Sequence, residues 1–218
     1  MMGEAWSLYF VFVLVCAVGL VLTLAGEYHA RTFPTAAGKL IAASAYVGAA
    51  LSIGALESRY GRFLLGGMAC CWLGDLFLVS RNSRPLFTAG LAAFLLGHLV
   101  YVAAFVVRGV SEIAVIIAAV PMFVIALLVA RWLKPYLDGR MRLPVHFYIA
   151  AITAMLIIAV GTFHAQGGWC LIAGAALFFV SDLGVARNRF VAPGFINRAW
   201  GLPVYFAAQM LLAASVAI

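Results

Sequence analysis

Residues 113–130 read IAVIIAAVPMFVIALLVA, without a charged side chain. An α-helix rises about 1.5 Å per residue, so this run extends roughly 27 Å, close to the ~30 Å of hydrocarbon in a bilayer. Nothing in it alternates between apolar and polar as a half-buried strand would. Pro121 predicts a kink, which a membrane helix tolerates when neighbours satisfy the carbonyl it frees.

Runs of the same kind recur on both sides, at 6–25, 36–56, 63–79, 86–107, 145–162, 169–186 and 199–218. Apolar residues make up 67% of the 218 positions and charged ones 10%, where soluble domains carry about a quarter charged. The reading is an all-α integral membrane protein with eight transmembrane helices in one bundle, a single domain over 1–218. The first run has no basic residue before it, so it reads as a helix that stays and not as a cleaved leader.

The net charge of +7 does not point to nucleic acid, because the basic residues lie in short clusters between apolar runs. Arg31, Lys39, Arg81, Arg84, Arg131, Lys134, Arg140, Arg142, Arg187, Arg189 and Arg198 fall on one side of the predicted membrane. Arg59, Arg62 and Arg108 fall on the other. The positive-inside rule puts the first group in the cytoplasm and both termini outside it. The four cysteines, Cys16, Cys70, Cys71 and Cys170, all sit in apolar runs and read as small core residues.

Within the spans the polar residues are few: Asp75, His98, Tyr101, Ser181, Asp182, Tyr205 and Gln209, with Glu27, Lys39 and His146 near helix ends. A carboxylate in hydrocarbon is costly, so each Asp is a candidate site residue. One alone, a turn from a helix end, reads equally well as a group reaching the interface or an Arg. Two in one setting read differently. The third run ends LGDLFLVSRN (73–82) and the seventh ends VSDLGVARN (180–188), each with a small residue, an Asp, then an Arg-Asn pair: Arg81-Asn82 and Arg187-Asn188. The two Asp residues are 107 apart, and the same shift carries His98 onto Tyr205 and Lys39 onto His146, as a parallel four-plus-four repeat would. Asp75 and Asp182 are expected roughly 6 Å from the cytoplasmic helix ends, Tyr205 roughly 9 Å in and His98 roughly 18 Å in. His98 with Tyr101, and Tyr205 with Gln209, share helix faces. The expectation is one cavity open to the cytoplasmic leaflet, walled by His98, Tyr101, Tyr205 and Gln209. Arg81, Arg84, Arg187 and Arg189 would stand at its rim, and Lys39 would be a further phosphate candidate. Such a layout suits a lipid whose phosphate stays at the interface. His29, His98, His146 and His164 show no metal-binding spacing, and neither a G-x-S-x-G elbow nor a phosphate-cradling glycine motif occurs, so no metal or cofactor is expected.

With GDLFL (74–78), AFLLGHLVY (93–101), GAALFFVSD (174–182) and YFAAQ (205–209) in that order, the chain resembles the YhhN-like family, which includes the mammalian transmembrane lysoplasmalogenases. The resemblance implies a hydrolase that cleaves the vinyl ether bond of a lysoplasmalogen to a fatty aldehyde and glycerophosphocholine or glycerophosphoethanolamine. It implies a lysophospholipid substrate among membrane lipids, and bacterial members make an inner-membrane location the expectation. Asp75 and Asp182 would be catalytic, one as acid and the other as carboxylate, with neither role assigned to either. His98, Tyr101, Tyr205, Gln209, Lys39, Arg81, Arg187, Asn82 and Asn188 would bind substrate. A small transporter or flippase for a lipid or cationic solute is the alternative, and would need access from both faces. A non-catalytic membrane sensor or assembly factor would leave the two Asp residues apart or paired with Arg.

Overall fold

The computed structural model describes residues 2–79 and 83–217, and within them the chain is a bundle of eight α-helices. They are α1 (Met2–Tyr28), α2 (Thr32–Ser52), α3 (Arg59–Phe77), α4 (Arg84–Arg108), α5 (Glu112–Leu133), α6 (Gly139–Gln166), α7 (Trp169–Ala186) and α8 (Phe195–Ala214). These correspond in order to the eight apolar runs. Six, all but α2 and α3, are long and apolar enough to cross a membrane, so the protein is a multi-pass membrane protein. Glycine and alanine with Lys39 dilute α2, and Arg59, Arg62 and Asp75 dilute α3.

Helices α3, α4, α5 and α6 each begin before their apolar span, at a capping side chain. Ser58 Oγ accepts from Gly61 N–H at 2.9 Å to start α3, and Asp138 Oδ1 accepts from Met141 N–H at 2.8 Å to start α6. Ser83 and Ser111 do the same for α4 and α5. The second span departs from expectation: α2 ends at Ser52, not at 56, since Gly54 has φ 86° and turns the chain out of the helix. α5 continues through Pro121.

Sequential helices pack as antiparallel pairs, α1 with α2, α3 with α4, α5 with α6 and α7 with α8. The tightest approach is between α1 and α2. A Cβ on Gly19 would lie 2.7 Å from the Ala42 backbone nitrogen, and one on Gly38 would lie 2.5 Å from the Gly19 carbonyl oxygen. Small residues permit this backbone contact, which is how membrane helices gain packing without a hydrophobic driving force. Helices α2, α3 and α8 also touch one another, as do α4, α6 and α7 through α6. α5 packs on α6 and leaves Ile113, Ile116, Ile117, Val120 and Phe123 exposed, the pattern of a helix facing lipid. The alternation brings the C-termini of α1, α3, α5 and α7 and the N-termini of α2, α4, α6 and α8 to one end of the bundle.

Candidate active site

At that end Asp75 lies two residues before the close of α3 and is 2% exposed. Gly74 ahead of it leaves room for the Phe94 ring of α4, against which a Cβ would lie at 2.6 Å. Lys39 of α2 places Nζ 3.4 Å from Asp75 Oδ1, and the Tyr205 hydroxyl of α8 donates to Oδ2 at 2.7 Å. The donors then continue in one direction. Gln209 Nε2 donates to the Tyr205 hydroxyl at 3.2 Å, and the Tyr101 hydroxyl donates to Gln209 Oε1 at 2.7 Å. The Tyr46 hydroxyl stands 3.4 Å from that of Tyr205. The donors thus run in one direction and end on a single carboxyl oxygen in a dry interior, where such a chain strengthens each of its bonds.

Asp182 of α7 keeps other company. The Tyr148 hydroxyl of α6 donates to its Oδ2 at 2.9 Å, and His98 Nε2 of α4 lies 3.4 Å from the same oxygen. The other ring nitrogen, His98 Nδ1, is 2.5 Å from the Phe94 carbonyl oxygen. A carbonyl only accepts, so Nδ1 carries a hydrogen. Nε2 is fully buried without an aligned hydrogen-bond partner among the described residues, and Asp182 is the polar group it faces. Phe178 and Tyr148 hold the imidazole, with ring centroids at 4.7 and 5.1 Å. Ser181 Oγ donates to the Phe178 carbonyl at 2.8 Å, and the residue lines the same cavity as Asp182.

Asp75 is thus met from α2 and α8, Asp182 from α6 and α4. The shift of 107 residues relates these sets: α2 to α6, α3 to α7, and α4 to α8. Under it the Asp75–Tyr205 pair corresponds to the Asp182–His98 pair, an arrangement with approximate two-fold character. Lys39 is not so matched. Its counterpart His146 is exposed and turned to the Arg142 carbonyl, and Tyr148 occupies the corresponding place beside Asp182.

Both carboxyl groups line one cavity of about 220 Å³. Tyr205 and Tyr148 stand beside them. Leu91, Phe94, Val129, Leu133, Val145, Ile149 and Ile152 form an apolar wall toward α4, α5 and α6, and Glu27, Asn188, Arg189, Asn197 and Arg198 stand at the bundle end. Of the expected residues, Asp75, Asp182, Lys39, Tyr205, Asn188 and Arg189 reach the cavity. His98, Tyr101 and Gln209 were expected on the wall but stand behind it, as hydrogen-bond partners of the lining groups. Arg187 was expected at the rim, yet its guanidinium donates to Asn197 Oδ1 and it does not line the cavity. A π-helical turn over Arg187–Val191 adds a residue to the last turn of α7 and brings Asn188 and Arg189 round instead. Arg84 pairs with Asp138 away from the two Asp residues. Arg81 and Asn82 lie outside the described residues.

Tyr148 and Tyr46 escaped the sequence reading, although each is a tyrosine within an apolar run, the signal that drew attention to Tyr101. Arg198 had been read only as a topology signal; here it pairs with Glu27 at the cavity.

The YhhN family profile matches residues 31–216. The chain is 32% identical to lysoplasmalogenase TMEM86A of Bos taurus over 155 residues, covering 68% of this chain and 62% of that protein. It is 32% identical to lysoplasmalogenase TMEM86B of Homo sapiens over 162 residues, 72% of this chain and 64% of that protein. A lysoplasmalogenase of Mycobacterium tuberculosis is 29% identical over 163 residues, 72% of this chain and 60% of that protein. The matches therefore span somewhat under two thirds of these relatives' length. No solved structure matches the chain.

Proposed function

Because the chain belongs to the YhhN family, we propose that it is a lysoplasmalogenase-type membrane hydrolase, cleaving the vinyl ether bond of a lysoplasmalogen to a fatty aldehyde and a glycerophosphodiester. The observation that carries this reading is two carboxyl groups on one cavity with unlike partners: Lys39 beside Asp75 and His98 beside Asp182. The names borne by the relatives agree with it.

The reaction needs a proton on the alkene carbon remote from oxygen, then water on the oxocarbenium carbon that results. Asp75 serves as the carboxylate, since Lys39 Nζ and the Tyr205 hydroxyl both stand at its oxygens, placed to meet a negative charge there. The Asp182–His98 pair serves as the acid. With Nδ1–H committed to the Phe94 carbonyl, Nε2 and Oδ2 attract each other only when one of them holds a proton. That proton passes to the alkene carbon, and the Asp75 carboxylate stabilises the cation. Asp75 then takes a proton from the attacking water as its oxygen bonds to carbon. When the hemiacetal collapses, Asp75 protonates the departing glycerol oxygen and the hydroxyl proton returns to the Asp182–His98 pair. Glycosidases divide work between two carboxyl groups over a similar cation, by analogy and not descent.

The disposition of the wall supports the same assignment. Asp182 adjoins the apolar surface of α4 to α6, where an alkenyl tail would leave for the bilayer, and the carbon to be protonated is on the tail side. On the count of basic residues the site opens to the cytoplasm with both termini opposite, and a bacterial inner membrane is part of the same proposal. A flippase would need a path to the far face, whereas the lining residues come from one end of the bundle. The test is purified protein given a lysoplasmenyl lipid and the matched lysoacyl lipid. Free aldehyde from the first and no fatty acid from the second is expected; no aldehyde would refute the proposal.

A further inference from the structure

The cavity carries an ion pair that the chemistry above does not use. Glu27, 7% exposed at the end of α1, bonds to Arg198 of α8, and both line the cavity that holds the two Asp residues. Arg198 precedes Tyr205 by two helical turns, on the same face of α8 and about 10 Å nearer its N-terminus. Tyr205 marks the reacting level, because it bonds Asp75. In an extended lysoplasmalogen the phosphorus stands six covalent bonds from the vinyl ether carbon and the amine ten, roughly 8 and 12 Å at bond lengths near 1.5 Å. The ion pair therefore lies at head-group height.

Resting on the lysoplasmalogenase reading of this site, we propose that Glu27 and Arg198 form a head-group clamp selective for a primary ammonium, so that ethanolamine-headed lysoplasmalogens are preferred over choline-headed ones and over the bare phosphate. Arg198 exchanges Glu27 for the lipid phosphate, and Glu27 exchanges Arg198 for the lipid ammonium. Every charge keeps a partner through the exchange, which matters for a carboxylate as buried as Glu27. Arg189 supplies a second guanidinium. Its Cζ lies 4.0 Å from the centre of the Phe87 ring, and its guanidinium carries donors suited to a phosphate. A primary ammonium donates hydrogen bonds to Glu27. A quaternary ammonium donates none and is held by aromatic faces instead, and the Phe87 face is taken by Arg189. A bare phosphate offers Arg198 its anion but brings no ammonium to donate to Glu27.

Binding of non-hydrolysable 1-O-alkyl lysolipids with ethanolamine, choline or bare phosphate heads, measured as dissociation constants on the purified full chain, tests this. The ethanolamine lipid is expected to bind about tenfold more tightly than the other two, the size of one charge-assisted hydrogen bond. Glu27→Gln should level the three, and Arg198→Gln should weaken all of them. Wild-type protein binding the three within twofold overturns the clamp, as does a folded Glu27→Gln variant that keeps the preference. Should Glu27→Gln fail to fold, the wild-type series alone decides. Because binding is read without turnover, preference without aldehyde release would leave the clamp and sink the hydrolase. Aldehyde release without preference would do the reverse.

Discussion

Asp75 and Asp182 are the same residue type at corresponding ends of two helices, and what separates their proposed roles is one neighbour each. Asp75 has Lys39 Nζ at 3.4 Å, while Asp182 has His98 Nε2 at 3.4 Å, the pair to which the proposed mechanism gives the proton. The sequence shows the two Asp residues and the histidine, but not the pairing, since that depends on which helices meet. Tyr148 was passed over for the same reason: nothing local distinguishes a tyrosine that bonds a carboxylate from one that packs. The pairing makes a prediction about His98. His98→Gln keeps a hydrogen-bonding side chain but cannot hold the shared proton. It should lower kcat about 10²-fold with little change in KM, within the range for loss of general acid catalysis. It should also change the shape of the pH profile. A purely structural role for His98 would scale the whole profile without changing its shape.

At the scale of elements, eight apolar runs became eight helices; for six of them length and scarcity of charge suffice, while α2 and α3 are diluted by small and charged residues, among them Lys39 and Asp75 of the site. Helix ends were less legible. Gly54 stops α2 early through its positive φ, a signal visible only as one glycine among 21. The π-helical turn at Arg187–Val191 contains no proline or glycine to announce it, and it decides that Arg189 and not Arg187 meets the cavity. The contact of α1 with α2 is the element-level feature most open to test. Gly19→Leu would drive a side chain into the α2 backbone, where even a Cβ meets Ala42 nitrogen at 2.7 Å. Overpacking of this kind costs about 1–3 kcal/mol or more, so a melting temperature several degrees lower is expected. Gly3→Ala on the same helix meets nothing within 4 Å and should melt as the wild type does.

For the whole molecule, the approximate two-fold relation of the two Asp environments accounts for two of the three residue pairs of the weak repeat, Asp75 with Asp182 and His98 with Tyr205, while Lys39 and His146 stand in unlike places. The shared requirement is a carboxyl group met by a neighbouring pair of helices, and the partners diverged with the two roles. Orientation rests on eleven basic residues against three. Reporters fused after residue 218 and inserted between 134 and 142 should report opposite sides of the membrane, and agreement between them would overturn the assigned topology. The central claim is that vinyl ether cleavage proceeds by protonation at carbon, from a site that needs both carboxyl groups. Turnover of a lysoplasmenyl lipid in D2O, with the aldehyde trapped at once by reduction, tests it most directly. The account predicts one deuterium on the carbon next to the former carbonyl, and no such product from Asp75→Asn or Asp182→Asn protein that is folded. Product without deuterium at that carbon, or undiminished product from either variant, would contradict it.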